Sequence, residues 1–222
     1  MSAWVISKRG DQALKDRFLK NIVSFDNVCS YCLTEPGSGS DASALKTKAT
    51  ITNEGYSLNG SKSFISGGGF SDLYVVLCRT GDQTPNGISM LLVEDGQAGL
   101  SFGKKEQKMG WKAQPTAIVQ FDNCSISAEN LVGEEGAGFK YAMEGLDGGR
   151  LNIAAASVGG AQKAYEIAKA YSKERSAFGK PISSFQSIEF KLADMATQLE
   201  AARLFLRSCL LYTSDAADDS PS

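Results

Sequence analysis

The chain has 222 residues, 42% of them hydrophobic, and a formal net charge of −2, enough apolar content for a core of one or two domains and no basic run to suggest nucleic acid as a partner. It contains no histidine, which excludes Ser-His-Asp and Cys-His catalysis and most zinc sites. No apolar stretch approaches the ~20 residues of a membrane helix, the N-terminus lacks the signal-peptide pattern, and five scattered cysteines (Cys29, Cys32, Cys78, Cys124, Cys209) argue for a reducing compartment rather than a disulfide framework.

Residues 2–23 read as one helix, with Asp11 as a cap and Leu14, Phe18 and Ile22 repeating at a spacing of four. One such helix cannot bury a core alone, so 1–26 is expected to be the end of a larger helical domain. Residues 27–133 read as β structure. Thr50–Thr52 and Tyr56–Leu58 flank a turn at Asn53-Glu54-Gly55, and Leu73–Cys78, Ile88–Val93 and Ile118–Phe121 are short apolar runs. Gly and Pro clusters punctuate them, which predicts an antiparallel barrel or sandwich. After Gly138 the period becomes helical. Helices are expected from Phe139 to Tyr171 and from Phe185 to Cys209, with a Gly- and Pro-containing loop between. Two helices make part of a bundle, here 134–210. The polar stretch 211–222 has no apolar face and is expected to be a disordered tail. The fold class is therefore α+β and multidomain.

The stretch Tyr31-Cys32-Leu33-Thr34-Glu35-Pro36-Gly37-Ser38-Gly39-Ser40-Asp41 runs from a possible strand into a turn. Pro36 fixes its own φ and pushes Glu35 towards an extended shape. Gly37 and Gly39 permit backbone shapes a Cβ would forbid, and the serines and bared amides can meet a polar ligand. By itself this is a ligand-binding turn or an ordinary surface loop. Gly37 to Ala42 also fits the loose pattern Gly-x-Gly-x-x-Ala, but a dinucleotide site needs a helix next. Lys46 to Thr52 alternates like a strand instead. Cys29-Ser30-Tyr31-Cys32 enters a strand rather than a helix and has no second ligand pair, so it reads as small buried side chains.

Two further blocks accompany this one: Gly60-Ser61-Lys62-Ser63-Phe64-Ile65-Ser66-Gly67-Gly68, and Glu174-Arg175-Ser176-Ala177-Phe178-Gly179-Lys180-Pro181-Ile182 with Phe185-Gln186 after it. The three, in this order, resemble the flavin-contacting segments of the acyl-CoA dehydrogenases, over roughly residues 1–208, in wording nearest a branch acting on isobutyryl-CoA. The resemblance implies a fragment of a three-domain homotetramer, with Met1 internal to a longer protein. It implies FAD as cofactor, an acyl-CoA substrate and an electron-transferring flavoprotein as electron acceptor. The compartment would be the mitochondrial matrix in a eukaryote or the cytoplasm in a bacterium.

Residue by residue, the resemblance places Tyr31, Cys32, Leu33, Thr34, Gly39, Ser40, Phe64, Ile65 and Ser66 at the flavin. Thr34 and the amides around Leu33 would hold the pyrimidine edge, Phe64 would stack on the ring, and Ser66 would donate beside the hydride-accepting nitrogen. Ser40 would be shared with the CoA ester. Arg175, Phe178, Phe185 and Gln186 match the segment that reaches a neighbouring subunit's flavin. Asp147-Gly148-Gly149-Arg150 matches an Asp-x-x-Arg that contacts CoA. Taken singly, Phe64 also suits core packing, Asp147 and Arg150 an i,i+3 surface pair, and Arg175 a solvated loop charge. The family places its catalytic carboxylate either directly before that arginine, where this chain has Gly149, or in a loop beyond the second helix. No catalytic base is therefore expected in this chain. A non-catalytic scaffold of the same fold and an acyl-CoA-binding module without flavin are the other readings; intact Thr34, Phe64 and Ser66 oppose the second.

Overall fold

The computed structural model describes the backbone of residues 1–218 and side chains through Tyr212. It divides into two compact units, Met1–Leu146 and Asp147–Ser222.

The first unit opens with short helices. Helix α1 (Ser2–Arg9) stops at Gly10, whose N–H donates to the Ile6 carbonyl and where a Cβ would lie 2.6 Å from that oxygen. Asp11 then caps α2 (Gln12–Leu14), its carboxylate accepting from the Leu14 N–H at 2.8 Å. A π-helical turn (Lys15–Leu19) leads into α3 (Lys20–Ser24). The sequence thus predicts the cap and the apolar face but not the break at Gly10. That face (Leu14, Phe18, Ile22, with Val5 and Ile6 of α1) packs on the sheet, in one cluster with Leu73, Val75, Leu77, Ile88, Met90 and Leu92.

Seven strands form one sheet: β1 (Cys29–Cys32), β2 (Lys48–Thr52), β3 (Gly55–Ser66), β4 (Leu73–Arg79), β5 (Ile88–Glu94), β6 (Leu100–Phe102) and β7 (Thr116–Ser127). Their order is β1-β4-β2-β3-β7-β6, with β5 also on β4. Every residue of β4 is buried. Its alternate side chains feed the helix-side cluster and a second cluster holding Tyr74, Val76 and Cys78 with Leu58, Leu91, Val119 and Phe121. The strands β2 and β3 meet across a tight turn at Asn53-Glu54, as the sequence predicts. Gly55 adopts φ 142° there, and a Cβ would sit 2.2 Å from the Ile126 carbonyl, so glycine is required.

The sheet is mixed rather than wholly antiparallel. β1 pairs in parallel with Leu73–Val76 of β4, and β2 pairs in parallel at Arg79. The two strands lie one after the other along β4, so residues 33–47 interrupt an edge instead of reversing the chain. The candidate turn sits in this interruption.

In the second unit, α4 (Gly138–Glu174, begun in the first unit), a small hairpin of β8 (Ser176–Ala177) and β9 (Lys180–Pro181), and α5 (Gln186–Asp218) follow in order. The two expected helices are present and the expected loop contains the hairpin. Helix α5 continues through Leu211–Asp218, where the polar composition predicts a tail. Extending a formed helix adds hydrogen bonds without a new nucleus, and Ala216 and Ala217 favour it. Residues 219–222 of that stretch lie outside the described residues.

Candidate functional site

The turn is held from several sides. Glu35 and Ser38 exchange backbone hydrogen bonds, Glu35 N–H to Ser38 O at 2.9 Å and Ser38 N–H to Glu35 O at 3.2 Å. Ser38 Oγ donates to the Asp41 carbonyl at 2.6 Å. The Glu35 carboxylate is buried and accepts from the Lys46 N–H (2.6 Å), the Thr47 N–H (2.9 Å) and Lys62 Nζ (2.8 Å). Burial pushes its pKa up, but the Lys62 ammonium and these hydrogen bonds outweigh that and hold it below its ordinary value. Lys62 is pulled down by burial, against the opposing effect of Glu35. Arg79, also buried, donates to the carbonyls of Ser43 and Leu45 at 2.6 and 3.1 Å. Both ends of the excursion are therefore anchored by buried cations.

Gly37 and Gly39 correct one expectation. Neither adopts a positive φ, and a Cβ on either would meet nothing within 4 Å. They leave open space beside the turn rather than permitting a strained backbone.

In the second block, β3 loses register with β7 between Lys62 and Ile65. This bulge carries Phe64 at φ 58°, an uncommon conformation for a bulky residue. Phe64 is 69% exposed while its neighbours Ser63 and Ile65 are buried. Ser63 donates its N–H to the Thr34 carbonyl at 2.8 Å, which ties the bulge to the turn. Ser30 Oγ donates to the Ser66 carbonyl at 2.6 Å and lies 2.8 Å from Ser71 Oγ, fixing the end of β3.

The two blocks meet in one cleft of about 780 Å³, lined by Tyr31, Leu33, Thr34, Phe64, Ile65 and Ser66 among others. No Asp, Glu, Lys or Arg lines it. Burial raises the Cys29 thiol to about 11 and the Tyr31 phenol well above its ordinary value, so both stay neutral. The Tyr31 hydroxyl is buried without a hydrogen-bond partner among the described residues. A larger groove of about 880 Å³ along Lys105–Pro115 adjoins the cleft, sharing Phe70, Ala113, Gln114 and Pro115, but holds none of the motif residues.

The predicted residues do not all contribute in the same way. The side chains of Cys32 and Ile65 belong to the second core cluster, so their backbones alone are available to a ligand. Gly39 and Ser40 are exposed and outside the cleft lining. Sequence reasoning missed Ser30, Phe25, Phe70 and Ala113–Pro115 in the walls. Nothing local marks them, because strand pairing and the entering helices bring them there.

In the second unit, Asp147 and Arg150 form an exposed i,i+3 pair at 2.6 Å. Gly148 lies at an open helix surface, where a Cβ would meet nothing within 4 Å, and Gly149 follows it in α4. Arg175 and Gln186 are exposed. Phe178 is 95% exposed at φ 51° and meets Phe185 edge-on at 6.0 Å, with Lys180 Nζ 4.5 Å from the Phe185 ring. The Arg175 carbonyl accepts from the Ile182 N–H at 2.8 Å, closing the hairpin.

The family model "Acyl-CoA dehydrogenase, middle domain" matches residues 30–124, and "Acyl-CoA dehydrogenase, C-terminal domain" matches residues 136–221. Mitochondrial isobutyryl-CoA dehydrogenase of Bos taurus is 47% identical over 99% of this chain and 53% of its own length. Butyryl-CoA dehydrogenase of Megasphaera elsdenii superimposes with a TM-score of 0.89 at 46% identity, over 93% of this chain and 54% of the other. PigA, solved with FAD and proline, superimposes with a TM-score of 0.90 at 30% identity, over 96% of this chain and 56% of the other. The chain thus spans about half the length of the relatives it matches. With two successive family domains covering most of its residues, the chain belongs to the acyl-CoA dehydrogenase family.

Proposed function

We propose that this chain is part of an FAD-dependent dehydrogenase that introduces an α,β double bond into a short or branched short-chain acyl-CoA thioester. The observation that carries the reading is the cleft, lined by no charged side chain among the described residues, in which Tyr31, Leu33 and Thr34 meet Phe64, Ile65 and Ser66. Its residues suit a flat, largely uncharged ring system: an exposed aromatic face, an exposed serine hydroxyl and a buried phenol hydroxyl without a partner among the described residues. FAD, when bound, supplies the hydride acceptor. Phe64 would stack on the ring, the Ser66 hydroxyl would donate beside the accepting nitrogen, and Thr34 with the neighbouring amides would hold the pyrimidine edge, where fixed donors favour negative charge. Ser40 and the Asp147–Arg150 segment bind the CoA ester. Arg175, Phe178, Phe185 and Gln186 reach a neighbouring subunit's flavin in a homotetramer, and an electron-transferring flavoprotein takes the electrons. No described helix is long and apolar enough to cross a membrane, and the mitochondrial relative supports a matrix location should the source be eukaryotic.

The α proton needs a carboxylate base. None lines the cleft. Glu35 accepts three hydrogen bonds at the turn and Glu144 is paired with Arg9 at 2.5 Å. We assign the base to a part of the protein beyond this chain. Anaerobic addition of isobutyryl-CoA or butyryl-CoA to the FAD-loaded 222-residue chain is then expected to leave the flavin absorbance unbleached. Bleaching that disappears in Glu35→Gln or Glu144→Gln would place the base inside this chain.

A further inference from the structure

Lys62 lies two residues before Phe64 with its side chain fully buried. Its Nζ donates to Glu35 Oε1 at 2.8 Å and to the Leu33 carbonyl at 3.0 Å. The Leu33 carbonyl and the Thr34 N–H are the two ends of one peptide unit. A hydrogen bond from a cation to the carbonyl polarises that unit and makes its N–H a stronger donor. Thr34 lines the cleft. Among the described residues, no backbone hydrogen bond outside the helices and strands engages its N–H. The Thr34 carbonyl is held by the Ser63 N–H, next in sequence to Lys62, so one short segment of β3 controls both sides of Thr34.

We propose that Lys62, seated by Glu35, is a positioning and polarising residue: its ammonium presents the Leu33–Thr34 peptide to the ligand as a strengthened donor and so favours the electron-rich reduced flavin over the oxidised one. This rests on the flavin reading above. The Glu35 charge is shared among Lys46 N–H, Thr47 N–H and Lys62, whereas the Lys62 ammonium bears directly on the Leu33 carbonyl. The pair therefore acts on the Leu33–Thr34 peptide as an oriented dipole with its cation on the Leu33 carbonyl. A purely structural clasp would hold the turn but leave the relative affinity for the two redox states unchanged.

The test uses the FAD-loaded protein and three variants, Lys62→Met, Lys62→Met/Glu35→Gln and Lys62→Gln. The readouts are melting temperature, Kd for oxidised FAD, and the two-electron midpoint potential. Lys62→Met is expected to melt lowest because it strands a buried carboxylate, and the double variant to recover much of that loss. Both are expected to lose about tenfold in affinity for reduced relative to oxidised FAD, a potential lower by about 30 mV for a two-electron couple. Lys62→Gln, which keeps a neutral donor for the Leu33 carbonyl, is expected to shift less in the same direction. A wild-type potential in whichever variants fold overturns the proposal. Wild-type protein that takes up no FAD would overturn the flavin reading, and this proposal with it.

Discussion

The two units bury their side chains very differently. In Met1–Leu146, β4 and β5 are covered on both faces, and even a lysine, an arginine and a glutamate are enclosed and hydrogen-bonded. In Asp147–Ser222, Ile153, Ile167, Tyr171, Phe190, Leu204 and Phe205 are all more than half exposed. Completeness of burial determines what each unit can do alone. A closed core can hold Thr34 and Phe64 in fixed and even strained positions. The second unit leaves Arg175, Phe178 and Gln186 exposed beside its half-exposed helices.

The sharpest way to break this contrast is to strand a charge in the closed unit. Lys62→Met leaves the Glu35 carboxylate buried without its cation and should cost about 3–5 kcal/mol in urea unfolding. Glu35 gives the same effect a pH signature. Its folded pKa is depressed, so its contribution is fully present above the ordinary carboxylate range and is lost as pH falls through the depressed value. Acid titration of wild type should show that loss, and Glu35→Gln should flatten the profile in that range.

Leu77→Ala, at a fully buried site shared with the helices, should cost about 2–5 kcal/mol by opening a cavity. Phe64→Gly should move the other way, because glycine tolerates φ 58°. Relief of the left-handed strain is worth up to about 1 kcal/mol in stability, while FAD affinity falls. A stabilised variant with unchanged FAD affinity would detach the strain from the ligand. The smallest effects belong to the open unit: Phe205→Ala should change stability by less than about 0.5 kcal/mol, and Arg150→Met, which breaks an exposed pair, by no more than about 1 kcal/mol. A large loss from either would show that the exposed helices already have a structural partner.

Much of this was legible in the residues. The apolar runs of β4 and β5 and the turn at Asn53-Glu54 have short-range signatures, and two of the three motif blocks, 31–41 and 60–68, meet in the cleft. What was hidden depends on distant partners. Lys62 reads as a solvent-facing strand residue until Glu35, 27 positions away, is placed beside it. The positive φ of Phe64 comes from a bulge set by β7, which no local rule for phenylalanine predicts. The parallel pairing of β1 and β2 with β4 likewise depends on where the 33–47 excursion returns. The break at Gly10 falls before the spaced residues Leu14, Phe18 and Ile22, and a lone glycine does not by itself end a helical reading.

The central claim is that the cleft of the first unit is a flavin site built by the 31–34 and 64–66 segments. The most direct test is titration of FAD into wild-type protein and into the Phe64→Ala/Ser66→Ala variant, followed by flavin fluorescence, with circular dichroism to confirm that both are folded. Removing the stacking face and one hydroxyl should weaken binding at least tenfold, since an aromatic contact and a hydrogen bond together contribute about 1.5 kcal/mol or more. A folded double variant that binds FAD as tightly as wild type would contradict the assignment.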